Sequence, residues 1–334
     1  MDVRSPVDLA IIGAGPTGLF ASFYAGLRGM SVKLIDSLEV LGGQLSTLYP
    51  EKYIYDAPGF PRILAKELAA RLIEQGLQFG ATPCLGEQVQ TLDYDAENRH
   101  FTLVTSRASH RSRAILIAAG VGAFTPRMLN LPNARNYEGR GVYYFVQHLG
   151  ALRDKRILIV GGGDSAIDWA NTLAGLTLSQ TLIHRRDTFR AHEEEAKRMF
   201  AGPTRVLVHN ELRAIGGDER IQWATVYDNR TGVEQTLEVD AILVNIGFVN
   251  SLGPIKNWGL ELRGGSIKVD SSMRTSREGV FAAGDVTTYL GKLKLIATGF
   301  GEAATAVNHV KKYLDPAANV FPGHSTNLNL WPKS

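Results

Sequence analysis

The chain has 334 residues, 44% hydrophobic and 21% charged, with a formal net charge of +3 and a single cysteine, Cys84. That length is too great for one compact core and is expected to form two domains. A lone cysteine excludes an internal disulfide, a CxxC redox pair and a cysteine-built zinc or iron–sulfur centre, and no metal ligand set is expected. The small positive excess gives no sign of nucleic acid but suits an acidic protein partner. Residues 1–20 have no basic stretch leading into an unbroken apolar run. No stretch reaches the roughly eighteen apolar residues of a membrane helix, so a cytoplasmic chain without a membrane role is expected.

In chain order, Val7 to Ile12 is an apolar strand that ends in Gly13-Ala14-Gly15-Pro16-Thr17-Gly18. A helical pattern follows to Gly29, then a second strand from Ser31 to Ile35. Residues 85–118 alternate polar and apolar, as antiparallel strands do, and close on the apolar Ala114 to Ala118. A second strand–turn–helix–strand unit follows: Arg156 to Val160, then Gly161-Gly162-Gly163-Asp164-Ser165-Ala166, a helix to about Leu173, and Gln180 to Ile183. Glycines and prolines mark linkers over 120–127 and 245–254. The expected architecture is α/β, with two Rossmann-like, three-layer dinucleotide-binding domains, residues 123–248 being inserted between 1–122 and 249–334.

The two turns differ in charge at the position that matters. The first has GxGxxG spacing. Its glycines allow a tight turn and let backbone approach a pyrophosphate seated on the helix N-terminus. Asp36, at the end of the second strand, suits hydrogen bonds from ribose hydroxyls. The second turn is GxGxxA, and the position matching Asp36 is His184, followed by Arg185, Arg186 and, further on, Arg190. A carboxylate would repel a 2′-phosphate, whereas guanidinium groups bind one bidentately. The first site is therefore expected to hold a dinucleotide with a free 2′-hydroxyl and the second NADP(H). A flavin and a nicotinamide exchanging hydride fit such a pair; two nicotinamide sites would instead make a transhydrogenase.

Near the end, the strand Val280 to Ala283 leads into Gly284-Asp285, an acid placed to accept from a ribityl hydroxyl. The small residues Ala297-Thr298-Gly299 lead into a helix whose N-terminus suits the anionic end of a reduced flavin. The run Glu193-Glu194-Glu195 reads as solvated surface.

On these strings the chain resembles the thioredoxin-reductase-like ferredoxin/flavodoxin–NADP(+) reductases of bacteria, over essentially its whole length. The likeness rests on both turns, Gly42-Gly43-Gln44-Leu45, Leu48-Tyr49-Pro50-Glu51-Lys52-Tyr53, the His184 to His192 segment, Gly284-Asp285 and the tail His324-Ser325-Thr326. The second turn and the arginine segment are shared with thioredoxin reductases. The stretch from Leu48 and the tail mark the narrower family. Thioredoxin reductases carry CxxC just before the second turn; this chain reads Gly141-Val142-Tyr143-Tyr144-Phe145-Val146-Gln147-His148, with no thiol.

The resemblance implies that electrons leave from the flavin itself, to ferredoxin or flavodoxin, in a homodimer. It implies an FAD domain over 1–122 and 249–334, with a C-terminal extension from about 315, and an NADPH domain over 123–248. Tyr49 would stack on one flavin face and His324 on the other, across the dimer interface. FAD contacts are implied at Gly13, Gly15, Pro16, Thr17, Gly18, Asp36, Gly43, Gln44, Tyr49, Val89, Asp285, Thr305, Ala306, His324 and Ser325. NADPH contacts are implied at Gly161, Gly163, Asp164, Ser165, Ala166, His184, Arg185, Arg186 and Arg190. No acid–base pair is expected. A diaphorase using small acceptors and a non-catalytic, NADPH-sensing flavoprotein are the rival readings.

Overall fold

The computed structural model describes residues 5–146 and 148–324, and the side chains of all of these except residues 123–125 and 248–250. The chain forms two compact units, Met1–Ala123 with Asn250–Ser334, and Phe124–Val249. Ser325 lies outside the described residues.

The first unit opens with β1 (Val7–Ile12), α1 (Pro16–Leu27) and β2 (Val32–Ile35). β1 is an unbroken apolar run because parallel neighbours flank it and both faces are covered; Leu9, Ala10 and Ile11 have no exposed surface. Proline begins α1, where its missing N–H has no helical partner to lose. Helix α2 (Ala65–Leu77) buries Ala65, Leu68, Ala69, Leu72 and Gly76, a stripe at helical spacing. The last of these touches α1, where the Ser22 hydroxyl donates to the Gly76 carbonyl at 2.7 Å.

Strands β3 (Thr82–Cys84), β4 (Val89–Asp95), β5 (His100–Thr105) and β6 (Ser109–Ile117) follow. The sequence of β6 records its two surroundings. Its first half alternates exposed and buried residues beside antiparallel β5. Its second half, Ala114–Ile117, is wholly buried between parallel neighbours.

The second unit holds β7 (Val142–Tyr143), β8 (Arg156–Val160), α3 (Asp164–Leu173), β9 (Ser179–His184), α4 (Glu193–Ala201), β10 (Arg205–Val208), β11 (Asn210–Gly216), β12 (Trp223–Asp228), β13 (Glu234–Glu238) and β14 (Ala241–Val244). A parallel sheet runs β7-β14-β8-β9-β10, and an antiparallel one β11-β12-β13. Alternation along β8 separates two cores. Ile157 and Ile159 pack with Ala166, Ile167, Trp169 and Leu173 of α3. Leu158 and Val160 pack with Ile215, Ala224 and Val226 of the antiparallel sheet. Three layers result, with helices on one face and a second sheet on the other. The acidic run Glu193–Glu195 is the first turn of α4, where carboxylates suit the positive helix end.

The chain then returns to the first unit with β15 (Val280–Ala282), parallel to β6, and α5 (Ile296–Leu314). The first-unit sheet has seven strands, in the order β3-β2-β1-β6-β5-β4 with β15 also on β6. The small residues Ala297, Thr298 and Gly299 do not precede α5. They form its first turn, because the helix already begins at Ile296. The buried stripe of α5 includes Gly299, Ala303 and Ala306, small enough to let it lie close against α1.

Ile159 is fully buried between the sheet and α3. Ile159→Ala is expected to lower the stability of the second unit by about 2–4 kcal/mol, the usual loss for such a truncation. Urea unfolding followed by the fluorescence of buried Trp169 checks this.

Candidate dinucleotide sites

Each turn is closed by the strand beside it. Gly13 follows β1 with φ +108°, and a Cβ there would lie 2.3 Å from the carbonyl oxygen of Ala118, just past the end of β6. Gly161 follows β8 with φ +150°, and a Cβ there would lie 2.2 Å from the carbonyl oxygen of Asn245, just past the end of β14. Only glycine fits either place. The turn can then pass over the strand ends and point the first N–H groups of the next helix outward, where an anion can reach them.

At the first turn, Gly15 and Pro16 start α1. A Cβ on Gly18 would lie 1.8 Å from the Gly13 carbonyl, so helix and turn touch. Gly43 lies against Gly15, a Cβ on the former falling 2.8 Å from Cα of the latter. The Asp36 carboxylate accepts from the Ala14 N–H at 2.6 Å and the Leu38 N–H at 2.8 Å. Burial outweighs these bonds and pushes its pKa up. Four lone-pair positions leave it able to accept further from a ligand.

Behind it, the Asp36 N–H donates to the Cys84 carbonyl at 3.0 Å, and the Glu87 N–H donates to the Asp36 carbonyl at 2.9 Å. The Cys84 sulfur lies within 4.8 Å of donor atoms of Glu87 and His110, a mixed ligand set that counting cysteines overlooks. Glu87 is already engaged: His110 Nε2 is 2.7 Å from Oε2, and the Thr105 hydroxyl donates to the same oxygen at 2.7 Å. Burial, then Glu87, push the Cys84 thiol up, away from thiolate chemistry.

Thr17 joins the first turn to the end of the chain. A Cβ on Gly284 or Gly299 would come within 2.8 or 2.4 Å of its hydroxyl. Asp285 is half-buried beside them. Burial raises its pKa first, Lys292 and Lys294 oppose, and Glu302 adds to it. Tyr49 lies in the fields of Asp285 and Asp56, and burial above all pushes its phenol to about 12, so it stays neutral. Gln44 begins a short helical turn, Gln44–Thr47, with its amide facing Gly120.

The remaining positions lie on other elements. Val89 is buried at the start of β4. Thr305 and Ala306 lie well inside α5; the Thr305 hydroxyl donates to the Gly301 carbonyl and Ala306 is fully buried. His324 is exposed, its ring edge-on to Phe321 at 5.5 Å. The segment before it is tied down, since the Arg28 guanidinium donates to the carbonyls of Asn319 and Val320.

At the second turn, Gly163 caps α3, and Asp164 and Ser165 are exposed at its start while Ala166 is buried. The His184 ring packs on the turn, occupying the space a Cβ on Gly162 would need. Its Nε2 donates to the Thr188 carbonyl at 3.1 Å. The Arg190 N–H donates to the Gly162 carbonyl at 2.8 Å, folding the arginine segment back onto the turn. Arg185, Arg186 and Arg190 are exposed and form no ion pair among the described residues. Burial lowers the His184 pKa, and the three guanidinium groups lower it further.

Two such turns, one per unit, define a two-dinucleotide α/β reductase of the thioredoxin-reductase-like fold. Solved structures agree. The Lactococcus lactis thioredoxin reductase matches 92% of this chain and 99% of its own at 28% identity and a TM-score of 0.78. The T. acidophilum enzyme matches 94% and 99% at 26% identity and a TM-score of 0.79. The family model described as pyridine nucleotide-disulphide oxidoreductase matches residues 7–309. A ferredoxin–NADP reductase of Thermus thermophilus is 51% identical over 324 residues, 96% of each chain. Ferredoxin–NADP reductase 2 of Bacillus subtilis is 50% identical over 321 residues, again 96% of each. The chain belongs to the pyridine nucleotide-disulphide oxidoreductase family and, within it, to the family of these ferredoxin–NADP reductases. No helix among the described residues is long and apolar enough to cross a membrane.

The His184 pKa lies below the ordinary 6.5, so its neutral form is favoured in the fold. Its contribution to stability is present above pH 6.5 and is lost as pH falls through the folded value. NMR titration of the His184 ring is expected to show this depressed pKa. Arg186→Gln should move it upward.

Proposed function

We propose that the protein is a ferredoxin–NADP(+) oxidoreductase whose first unit holds FAD and whose second holds NADPH. The opposite chemistry behind two equivalent turns carries this reading: a partly buried carboxylate, Asp36, at one, and His184 with three exposed guanidinium groups at the other. A free 2′-hydroxyl suits the first site and a 2′-phosphate the second. The glycine cradles support the fit, since the space at Gly13, Gly43 and Gly161 admits backbone but no side chain.

Bound FAD would take hydride from NADPH and release electrons singly to ferredoxin or flavodoxin. Each group of the chain then has a distinct part. Arg185, Arg186 and Arg190 hold the 2′-phosphate of NADPH over the second turn, with Asp164, Ser165 and Ala166 presenting the start of α3 to its pyrophosphate. Gly13 to Gly18 and Asp36 hold the adenosine half of FAD, and Gly43 and Gln44 line its pyrophosphate. Tyr49 is a neutral ring suited to lie on an isoalloxazine face, beside Asp285 for the ribityl chain. Val89, Thr305, Ala306 and Ser325 complete the contacts the family likeness implies. His324 is exposed, as a residue that covers the flavin of a second copy would be, which supports a homodimer. The net charge of +3 suits an acidic electron carrier. The single cysteine leaves no dithiol route, which separates the chain from thioredoxin reductases.

The decisive test is anaerobic titration of the purified protein with NADPH and NADH, followed by addition of oxidised ferredoxin. Bleaching by NADPH and recovery with ferredoxin are expected; a colourless protein, or one indifferent to NADPH, would overturn the assignment. Replacing Arg185 and Arg186 by Gln is expected to raise the KM for NADPH by roughly 10- to 100-fold, the scale of one to two charged hydrogen bonds. Turnover at saturation and the KM for NADH should change little, as steady-state kinetics would show. Cys84→Ser should leave ferredoxin reduction intact.

A further inference from the structure

Beside Asp285 lies a charged cluster with no part in the reading above. The side chains of Lys292 and Glu302 are 6% and 5% exposed, and Lys292 Nζ lies 2.5 Å from Glu302 Oε1. The Tyr289 hydroxyl donates to the same oxygen at 2.6 Å. The other oxygen, Oε2, accepts the Gly284 N–H at 2.7 Å, one residue before Asp285. The lysine also stands over the Tyr289 ring, 5.6 Å from its centre.

Taking two charges out of water is costly, and an apolar pair of the same volume would pack at least as well. What a buried ion pair does that an apolar pair cannot is set a local field. Glu302 is on the second turn of α5. Gly299, one turn earlier, is against Thr17 and Gly284. The cluster thus binds the start of α5, the Gly284–Asp285 strand end and the loop between them into one body. Its two charges act on Asp285 in opposite senses.

We propose that Lys292 and Glu302 are positioning residues whose opposed charges balance each other at the flavin end of the first-unit site, while Glu302 holds Gly284–Asp285 in place. The proposal rests on the reading that FAD lies with its flavin end beside Asp285 and α5. In the intact pair the charges largely cancel. Removing the acid leaves a buried cation, which favours the more negatively charged reduced flavin. Removing the lysine leaves a buried acid and does the reverse.

The test compares holoenzyme variants Glu302→Gln, Lys292→Met and the double variant. Each is equilibrated anaerobically with a reference dye, and the reduced-to-oxidised ratio of bound flavin is read at one fixed potential. Glu302→Gln is expected to raise that ratio severalfold, Lys292→Met to lower it, and the double variant to return close to wild type. Tyr289→Phe, which keeps both charges, should leave the ratio unchanged. Shifts in the same direction for both single variants, or no shift, would overturn the proposal. If a single variant loses FAD, the double variant decides: it must retain FAD at the wild-type ratio, and failure to do so also overturns the proposal. A wild-type protein that binds FAD and bleaches with NADPH keeps the functional reading intact whatever the variants do. A wild-type protein without FAD would defeat both.

Discussion

Both turns depend on one steric constraint. In each unit a strand ends under the first glycine of the turn, and its carbonyl oxygen fills the place a side chain would take. Ala118 does this for Gly13 and Asn245 for Gly161. Because β1 pairs with β6, and β8 with β14, in parallel and in matched register, the strand ends fall at the same level. The chain leaving each strand then crosses its neighbour's end with bare backbone and enters a helix whose first N–H groups are unpaired. Ligand capacity at these sites is thus a by-product of sheet register.

On this shared frame, the difference between the sites comes from a few side chains. Asp36 is drawn into the turn by two backbone N–H donors and is held from behind by the ladder through Cys84 and Glu87. His184 at the equivalent position packs its ring on the turn, while the arginines after it remain exposed and help to lower its pKa. An acid that belongs to the fold and a set of exposed cations around a depressed histidine are distinct electrostatic preparations for two related ligands. Charge at the third corner, near Asp285, is managed differently again, by a buried lysine and glutamate that fasten strand end, loop and helix together.

Much of this was legible along the chain. Period and apolar runs located β1, α1, β8, α3 and β9, and the spacing of glycines and of Asp36 and Arg185–Arg186 located the two turns. Other features were not legible. The sheet over Asn210–Glu238 is built from short strands rich in polar residues, whose buried positions become apparent only against the second face of β8. Helix α4 begins in three glutamates that read equally well as solvated surface. The start of α5 at Ile296 goes with its packing against α1 and Thr17, which small residues such as Gly299 permit.

The sequence by itself determined the two strand–turn–helix units, the opposite charge behind their turns and the absence of a dithiol, because each follows from local spacing and composition. Only the tertiary structure decided which carbonyls close the turns, that Asp36 is tied into its own turn, that the Cys84 thiol sits beside a Glu87–His110 pair, and that Lys292 meets Glu302 beneath Gly284. Each of those contacts joins residues far apart along the chain, and nothing in either partner's neighbourhood specifies the other until the sheet and its helices are assembled.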